Sequence, residues 1–147
     1  LRELLSDRRG KIAFRHYVTG ALRGLRTYPF PAIRFEWEGG ATTGTGAVLG
    51  RAPLYGGFVR PTPRAALEHE ALELCAFTAP SASGYLRLLP RLCSGAHVGH
   101  PGTTSRMLPA LRASSDHPDV PVQLDGELHG VLPLEFGLSD RVLRLVV

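Results

Sequence analysis

Two short clusters of titratable side chains offer chemistry along this chain. Asp125-Gly126-Glu127 sets two carboxylates at the end of the strand-like run Val120 to Leu124. Taken by itself, Asp-Gly between two apolar strands is the usual two-residue hairpin turn. His97 and His100 lie three apart between Gly95 and Pro101, a spacing that could begin a zinc site. No cysteine or third histidine has ligand spacing around them, however, and zinc takes three or four protein ligands. A loop role is the expectation for His97, and a solvated turn for His69, which stands between Glu68 and Glu70. Serine and histidine are plentiful, yet no Gly-x-Ser-x-Gly elbow is present to build a hydrolase. Tyr55, Phe58 and Val59 fall in a Gly/Pro-rich loop, where apolar side chains normally half-bury as packing.

The elements that must position these residues follow from periodicity. Phe14, Val18, Ala21, Leu22 and Leu25 recur at helical spacing and predict an amphipathic helix over about 11–25, weakened by Gly20 and Gly24 and ended by Pro29 and Pro31. Ile33, Phe35 and Trp37 then alternate with Arg34, Glu36 and Glu38, the pattern of a half-buried strand. Residues 39–46 read as a Gly/Thr-rich turn region, Ala47-Val48-Leu49 as a short buried strand, 50–63 as a loop and 72–77 as another strand. Ser81 or Ser83 can cap a second helix carrying Tyr85, Leu86, Leu89 and Leu92, with a kink expected at Pro90. Val120 to Leu124, followed by Asp125-Gly126 and then alternating Leu132, Leu134, Phe136 and Leu138, reads as a strand pair joined by a turn. Leu143 to Val147 supplies a last apolar strand. Six or more short strands with two helices predict a mainly β fold, a two-layer β-sandwich with helical connections.

Composition bounds the rest. A chain of 147 residues is the size of one domain with its own core, and 44% hydrophobic with 20% charged residues is ordinary globular composition. No run approaches the length needed to cross a bilayer as a helix, and no signal-like segment opens the chain, so any membrane contact is expected to be peripheral. Cys75 and Cys93, both in apolar stretches, read as free buried thiols suited to a reducing cytoplasm. The net charge of +4 is carried almost wholly by scattered arginines, Lys11 being the single lysine, and without a basic and aromatic stripe no nucleic-acid partner is expected. The opening Leu1-Arg2-Glu3, without methionine, reads as an entry partway through a larger protein.

Read together and in order, several motifs resemble the diacylglycerol kinase and sphingosine kinase family. Val120 through Glu127, with Gly130 and Pro133-Leu134 after it, resembles the closing signature in which a strand delivers Asp-Gly-Glu to the cleft between two lobes. Gly50 through Tyr55-Gly56-Gly57 looks like the family's glycine-rich segment, with Pro63, Ala65 and Leu67 following. Ser94-Gly95-Ala96-His97 resembles its Gly-x-His, and Gly10-Lys11-Ile12-Ala13-Phe14 its Gly-Lys-x-x-Tyr. Two departures stand out: Glu68-His69-Glu70 replaces a common Asp-Asp-Gly, which puts a structural magnesium there in doubt, and Phe58 stands where a third glycine is common.

The resemblance implies that residues 1–147 are the C-terminal lobe of a two-lobed lipid kinase. The intact enzyme would move the γ-phosphate of ATP to a lipid hydroxyl with Mg2+, diacylglycerol being the first guess and a glycerophospholipid, sphingoid base or ceramide equally compatible. It assigns Glu127 to the Mg-ATP site through a metal-bound water or the acceptor hydroxyl, Asp125 to supporting the loop or metal, and Gly126 to the turn. Tyr55 and Phe58 become lipid-contact candidates. The family's Gly-Gly-Asp-Gly-Thr phosphate loop is missing, as is any Gly-x-x-x-x-Gly-Lys-Ser/Thr loop, so this polypeptide alone is expected to be inactive without its nucleotide-binding lobe. A homodimer through exposed apolar surface would then be a property of the fragment. Two alternatives stay open: a stand-alone β-sandwich module binding a sugar or protein, and the β lobe of an NAD kinase or similar small-molecule kinase.

Overall fold

Alternating apolar residues in 33–37 make a strand with one buried face, and the rest of the sandwich is assembled against that face. The computed structural model describes residues 28–55 and 59–139. The helix expected over 11–25, the strand expected at the C-terminus and Phe58 lie outside the described residues. The described elements are β1 (Ile33–Trp37), β2 (Gly40–Gly44), β3 (Gly46–Gly50), β4 (Leu72–Phe77), α1 (Ala82–Ser94), β5 (Thr103–Leu108), β6 (Ala110–Ser114), β7 (Pro121–Leu124), β8 (Glu127–Val131) and β9 (Leu134–Gly137). They form a four-stranded sheet in the order β2-β1-β6-β9, a three-stranded sheet β3-β4-β5 and a two-stranded sheet β7-β8. Every described strand pair is antiparallel.

The expected mainly β sandwich is what forms. Ile33 and Phe35 of β1 and Leu111 and Ala113 of β6 meet Leu74 and Ala76 of β4 and Leu108 of β5 in one buried cluster, with Trp37 and Phe136 packed at its margin. Fully burying an aliphatic or aromatic side chain contributes about 1.5–3 kcal/mol, so this seam is the main source of the sandwich's stability. The chain crosses from one sheet to the other twice within a single residue, at Thr45 between β2 and β3 and at Pro109 between β5 and β6. Strands that switch sheets form the corners of such sandwiches.

Three expectations need correction. The 39–46 stretch is not only a turn: Gly39, at a φ of +83°, makes the turn, and Gly40–Gly44 is a strand in full register with β1. The Gly/Thr composition hid it, because its partner and not its own side chains makes it a strand. The Thr45 corner is a hydrogen-bond hub. Its Oγ1 accepts from the Ala79 N–H at 2.8 Å, and its carbonyl accepts from the Tyr85 hydroxyl at 2.8 Å. Burial pushes the Tyr85 hydroxyl pKa up, partly offset by that bond to Thr45.

The second correction concerns α1. Ser81 caps it by accepting the Gly84 N–H at 3.2 Å, and Gly95 closes it in the left-handed region. The helix continues past Pro90, which lies on its exposed side. Its buried face is Leu88 and Leu92 with half-buried Tyr85, packed on Phe77, whereas Leu86 and Leu89, expected inside, are 48% and 50% exposed. The core face is set by where Phe77 stands, and spacing alone could not choose between two leucine stripes. Third, Val120–Leu124 pairs with 127–131, while Leu134–Gly137 joins β6 in the main sheet.

The outward face of β4 buries a carboxylate. Glu73 is fully buried, accepting the Arg64 N–H at 2.6 Å and the Ser105 hydroxyl at 2.7 Å, with the Cys75 thiol donating at 3.6 Å. Burial, and then the Glu73 charge, push the Cys75 thiol pKa up to about 12. Both cysteines are free, Cys75 buried and Cys93 half-buried. Glu73 thereby ties the segment around Arg64 to β4 and β5.

Candidate active-site hairpin

The two carboxylates of Asp125 and Glu127 are carried on an arm. Val120, 3% exposed, is rooted in the sandwich core, and its carbonyl accepts the Leu132 N–H at 3.0 Å. Beyond this root β7 and β8 project as a two-stranded sheet, with every residue exposed except Val122 and Gly130, which are half-buried. At the tip, Leu124 pairs with Glu127 across Asp125 and Gly126. Both turn residues have positive φ, +50° and +90°, the arrangement of a type I′ turn. Aspartate tolerates that region and glycine enters it freely, so the sequence dictates this local geometry.

Near the middle of the arm the register shifts. Gln123 pairs with Leu128 but Val122 pairs with Gly130, which leaves His129 as one extra residue in β8. Such a bulge re-aims the side chains beside it. His129 joins Leu124, Asp125, Glu127 and Leu128 in lining a groove of about 320 Å3. Alternation in the sequence gives no sign of this histidine, since the bulge breaks the period of two.

Tyr55 reaches the same place from another part of the chain. It forms a two-way backbone bridge with Val59, at 2.8 and 3.2 Å, and Val59 packs against the Phe77, Leu88 and Leu92 cluster. The Tyr55 hydroxyl stands 3.5 Å from where a side-chain carbon on Gly126 would lie. The fold thus brings Tyr55, Asp125, Gly126 and Glu127 together, although 70 positions separate the first two in the sequence. A larger groove, about 390 Å3, lies between Trp37, Leu111 and Phe136 and contains none of the site residues singled out by the sequence.

The two histidines flagged for a zinc spacing are otherwise occupied. His97 is fully buried, Nε2 lying 2.9 Å from the Pro61 carbonyl and Nδ1 3.3 Å from that of Arg91. A fully buried ring closed in by carbonyl oxygens on both sides braces the loop against α1 and leaves neither nitrogen open to a metal. His100 Nδ1 lies 2.7 Å from the Pro101 carbonyl. In the exposed 68–70 turn, the Arg51 guanidinium donates to the Leu67 and His69 carbonyls at 2.7 and 3.1 Å. An exposed guanidinium occupies those two carbonyl oxygens, which disfavours a cation on them, while the Glu68 and Glu70 carboxylates stay exposed beside it. Among the described residues no three candidate ligands gather in one place. At the hairpin tip Asp125 and Glu127 present two exposed carboxylates, and Mg2+ commonly takes one or two carboxylates from a protein before phosphate oxygens and water complete its shell.

The family model described as the YegS C-terminal NAD kinase beta sandwich-like domain matches residues 4–147. The chain belongs to that family. Two solved structures, each described as a "putative diacylglycerol kinase" from Bacillus anthracis str. Sterne, share the fold of this YegS C-terminal-type domain. One aligns with a TM-score of 0.57 at 13% identity, covering 78% of this chain and 39% of its own. The other gives 0.51 at 13% identity, with 79% and 38% covered. The domain therefore spans about two fifths of those proteins, and at that identity the likeness is one of fold. No curated protein matches the chain. No helix among the described residues is long and apolar enough to cross a membrane.

Proposed function

We propose that this YegS C-terminal-type domain is the β lobe of an ATP-dependent lipid kinase. In this reading it completes an active site whose phosphate-holding loop comes from a nucleotide-binding lobe. The supporting observation is the convergence of Asp125, Glu127 and the Tyr55 hydroxyl on one exposed turn. Phosphoryl transfer asks a protein mainly for in-line positioning, neutralisation of phosphate charge and an orienting carboxylate near the nucleophile.

When bound, Mg2+ would neutralise the phosphate oxygens of ATP. Glu127, at the first position of β8, would hold the metal or orient the acceptor hydroxyl, and Asp125 would support it from across the turn. Gly126, at a φ of +90°, lets the strand reverse within two residues. The exposed Leu124 and Leu128 give the groove an apolar side against which an acyl chain can lie, and Tyr55, whose hydroxyl stands beside the turn, and Phe58 are the further lipid-contact candidates. Diacylglycerol is the first acceptor to test, followed by other lipids with a free hydroxyl.

The test is transfer of labelled phosphate from ATP to a lipid panel by the product of the complete reading frame, with and without Glu127→Ala. Loss of roughly 10²–10⁴-fold in rate, with the fold intact by circular dichroism, is expected for an orienting carboxylate. Transfer that survives the substitution removes Glu127 from the site. Transfer to NAD or another soluble acceptor, with none to any lipid, replaces the lipid reading with a small-molecule kinase.

A further inference from the structure

The solvent side of α1 carries a second apolar stripe that the sandwich does not use. Leu88 and Leu92 face Phe77, but Leu86 and Leu89 are 48% and 50% exposed, and Pro90 is exposed beside them with Cys93 half-buried. Positions 86, 89, 90 and 93 are spaced i, i+3, i+4 and i+7, so they form one continuous stripe along the helix. The other exposed flank holds Arg87 and Arg91, one turn apart, and α1 contains no acidic residue. Arg60 adds a third cation beside the last turn: it is exposed, and its N–H donates to the Leu92 carbonyl at 3.1 Å.

We infer that this face of α1 is a docking surface for an anionic lipid bilayer. Leucines sink into the boundary between headgroups and acyl chains, and the long arginine stems let guanidinium groups reach anionic phosphates while their methylenes stay in the apolar layer. Charge complementarity selects the partner. A nucleic acid has no use for a leucine stripe, and a purely apolar partner has none for three arginines; an anionic membrane engages both. The surface deepens the lipid-kinase reading and rests on it for its use, since it would hold the domain at the interface where a lipid acceptor resides.

Co-sedimentation of the full chain with vesicles tests it, comparing phosphatidylcholine alone with an equimolar mixture of phosphatidylcholine and phosphatidylglycerol. Binding to the anionic vesicles only is expected, weakened roughly tenfold or more by Arg87→Glu/Arg91→Glu, as the loss of two juxtamembrane cations requires. Leu86→Ser/Leu89→Ser is expected to weaken it comparably with an unchanged melting temperature. Absent binding, equal binding to both vesicle types, or binding indifferent to both double substitutions overturns the inference. So does a fall of several degrees in melting temperature, or a change from dimer to monomer, in Leu86→Ser/Leu89→Ser, because the stripe would then be covered by another part of the chain or by a second copy. The readout needs no catalysis. Vesicle binding lost while the complete protein still phosphorylates a short-chain dispersed lipid sinks the surface alone; binding kept with no transfer to any lipid sinks the kinase reading alone.

Discussion

Glu73 and Glu127 are the same side chain in opposite settings. Glu73 is fully buried on β4 and held by the Arg64 N–H and the Ser105 hydroxyl, whereas Glu127 opens β8 in an exposed groove. A carboxylate taken out of water is tolerated only when hydrogen bonds replace its solvation, and once they do it becomes part of the scaffold. One left in water at the tip of an arm adds little to stability and remains free to meet a cation or a hydroxyl. Burial, not residue type, separates the structural acid from the candidate functional one.

The sharpest way to break that comparison is to remove each in turn. Glu73→Ala removes the shared acceptor of the Arg64 N–H, the Ser105 hydroxyl and the Cys75 thiol and is expected to cost about 3–5 kcal/mol in urea unfolding. Glu127→Ala is expected within about 0.5 kcal/mol of the parent, as for most exposed positions. Equal costs would erase the distinction. Next in size is Gly126→Ala, which forces a side chain into a φ of +90° close to the Tyr55 hydroxyl. It is expected to cost about 1–2 kcal/mol and to lower phosphate transfer, while leaving the melting of the main sandwich cooperative.

A pH titration sharpens the buried side. The Cys75 thiol, ordinarily at 9.0, is raised to about 12 by burial and by Glu73. An acid whose folded pKa lies above its unfolded value gives stability that is complete below the unfolded pKa and lost as pH rises towards the folded one. Stability is therefore expected to fall from pH 9 upward, and Cys75→Ala should flatten the fall between about 9 and 10. At higher pH, Tyr28 and Tyr85, both raised by burial, act in the same direction. The smallest effect is kinetic: at about pH 8 a thiol reagent should label half-buried Cys93 well before Cys75.

Legibility in the sequence followed the same division between local and long-range causes. β1 and the Asp-Gly turn were readable because alternation and left-handed preference are properties of neighbouring residues. β5 and β6 carry no such signal: Thr103 to Leu108 and Ala110 to Ser114 alternate weakly, and they are strands because β4 and β1 pair with them. Glu73 was hidden inside a strand read only as apolar, since nothing nearby announces Ser105 as its partner. At the site, the ordered motifs pointed to Asp125, Gly126, Glu127 and Tyr55, and the fold brings these four to one turn. His129 was missed because a bulge, which the sequence does not mark, turns it into the groove.

The rooted hairpin also works as a lever. Four residues carry the chain from Val120 to Leu124 at the tip, about 13 Å of extended strand at roughly 3.3 Å per residue. A rotation of about 5° at the root swings Glu127 by about 1 Å, and a displacement of that size can cost on the order of a hundredfold in a reaction that depends on alignment. Accuracy at the tip is thus decided far from it, by how firmly Val120 is clamped in the cluster that holds Ile33, Leu74 and Leu111. Shaving a methyl group from that clamp would detune the arm while leaving every residue of the groove unchanged.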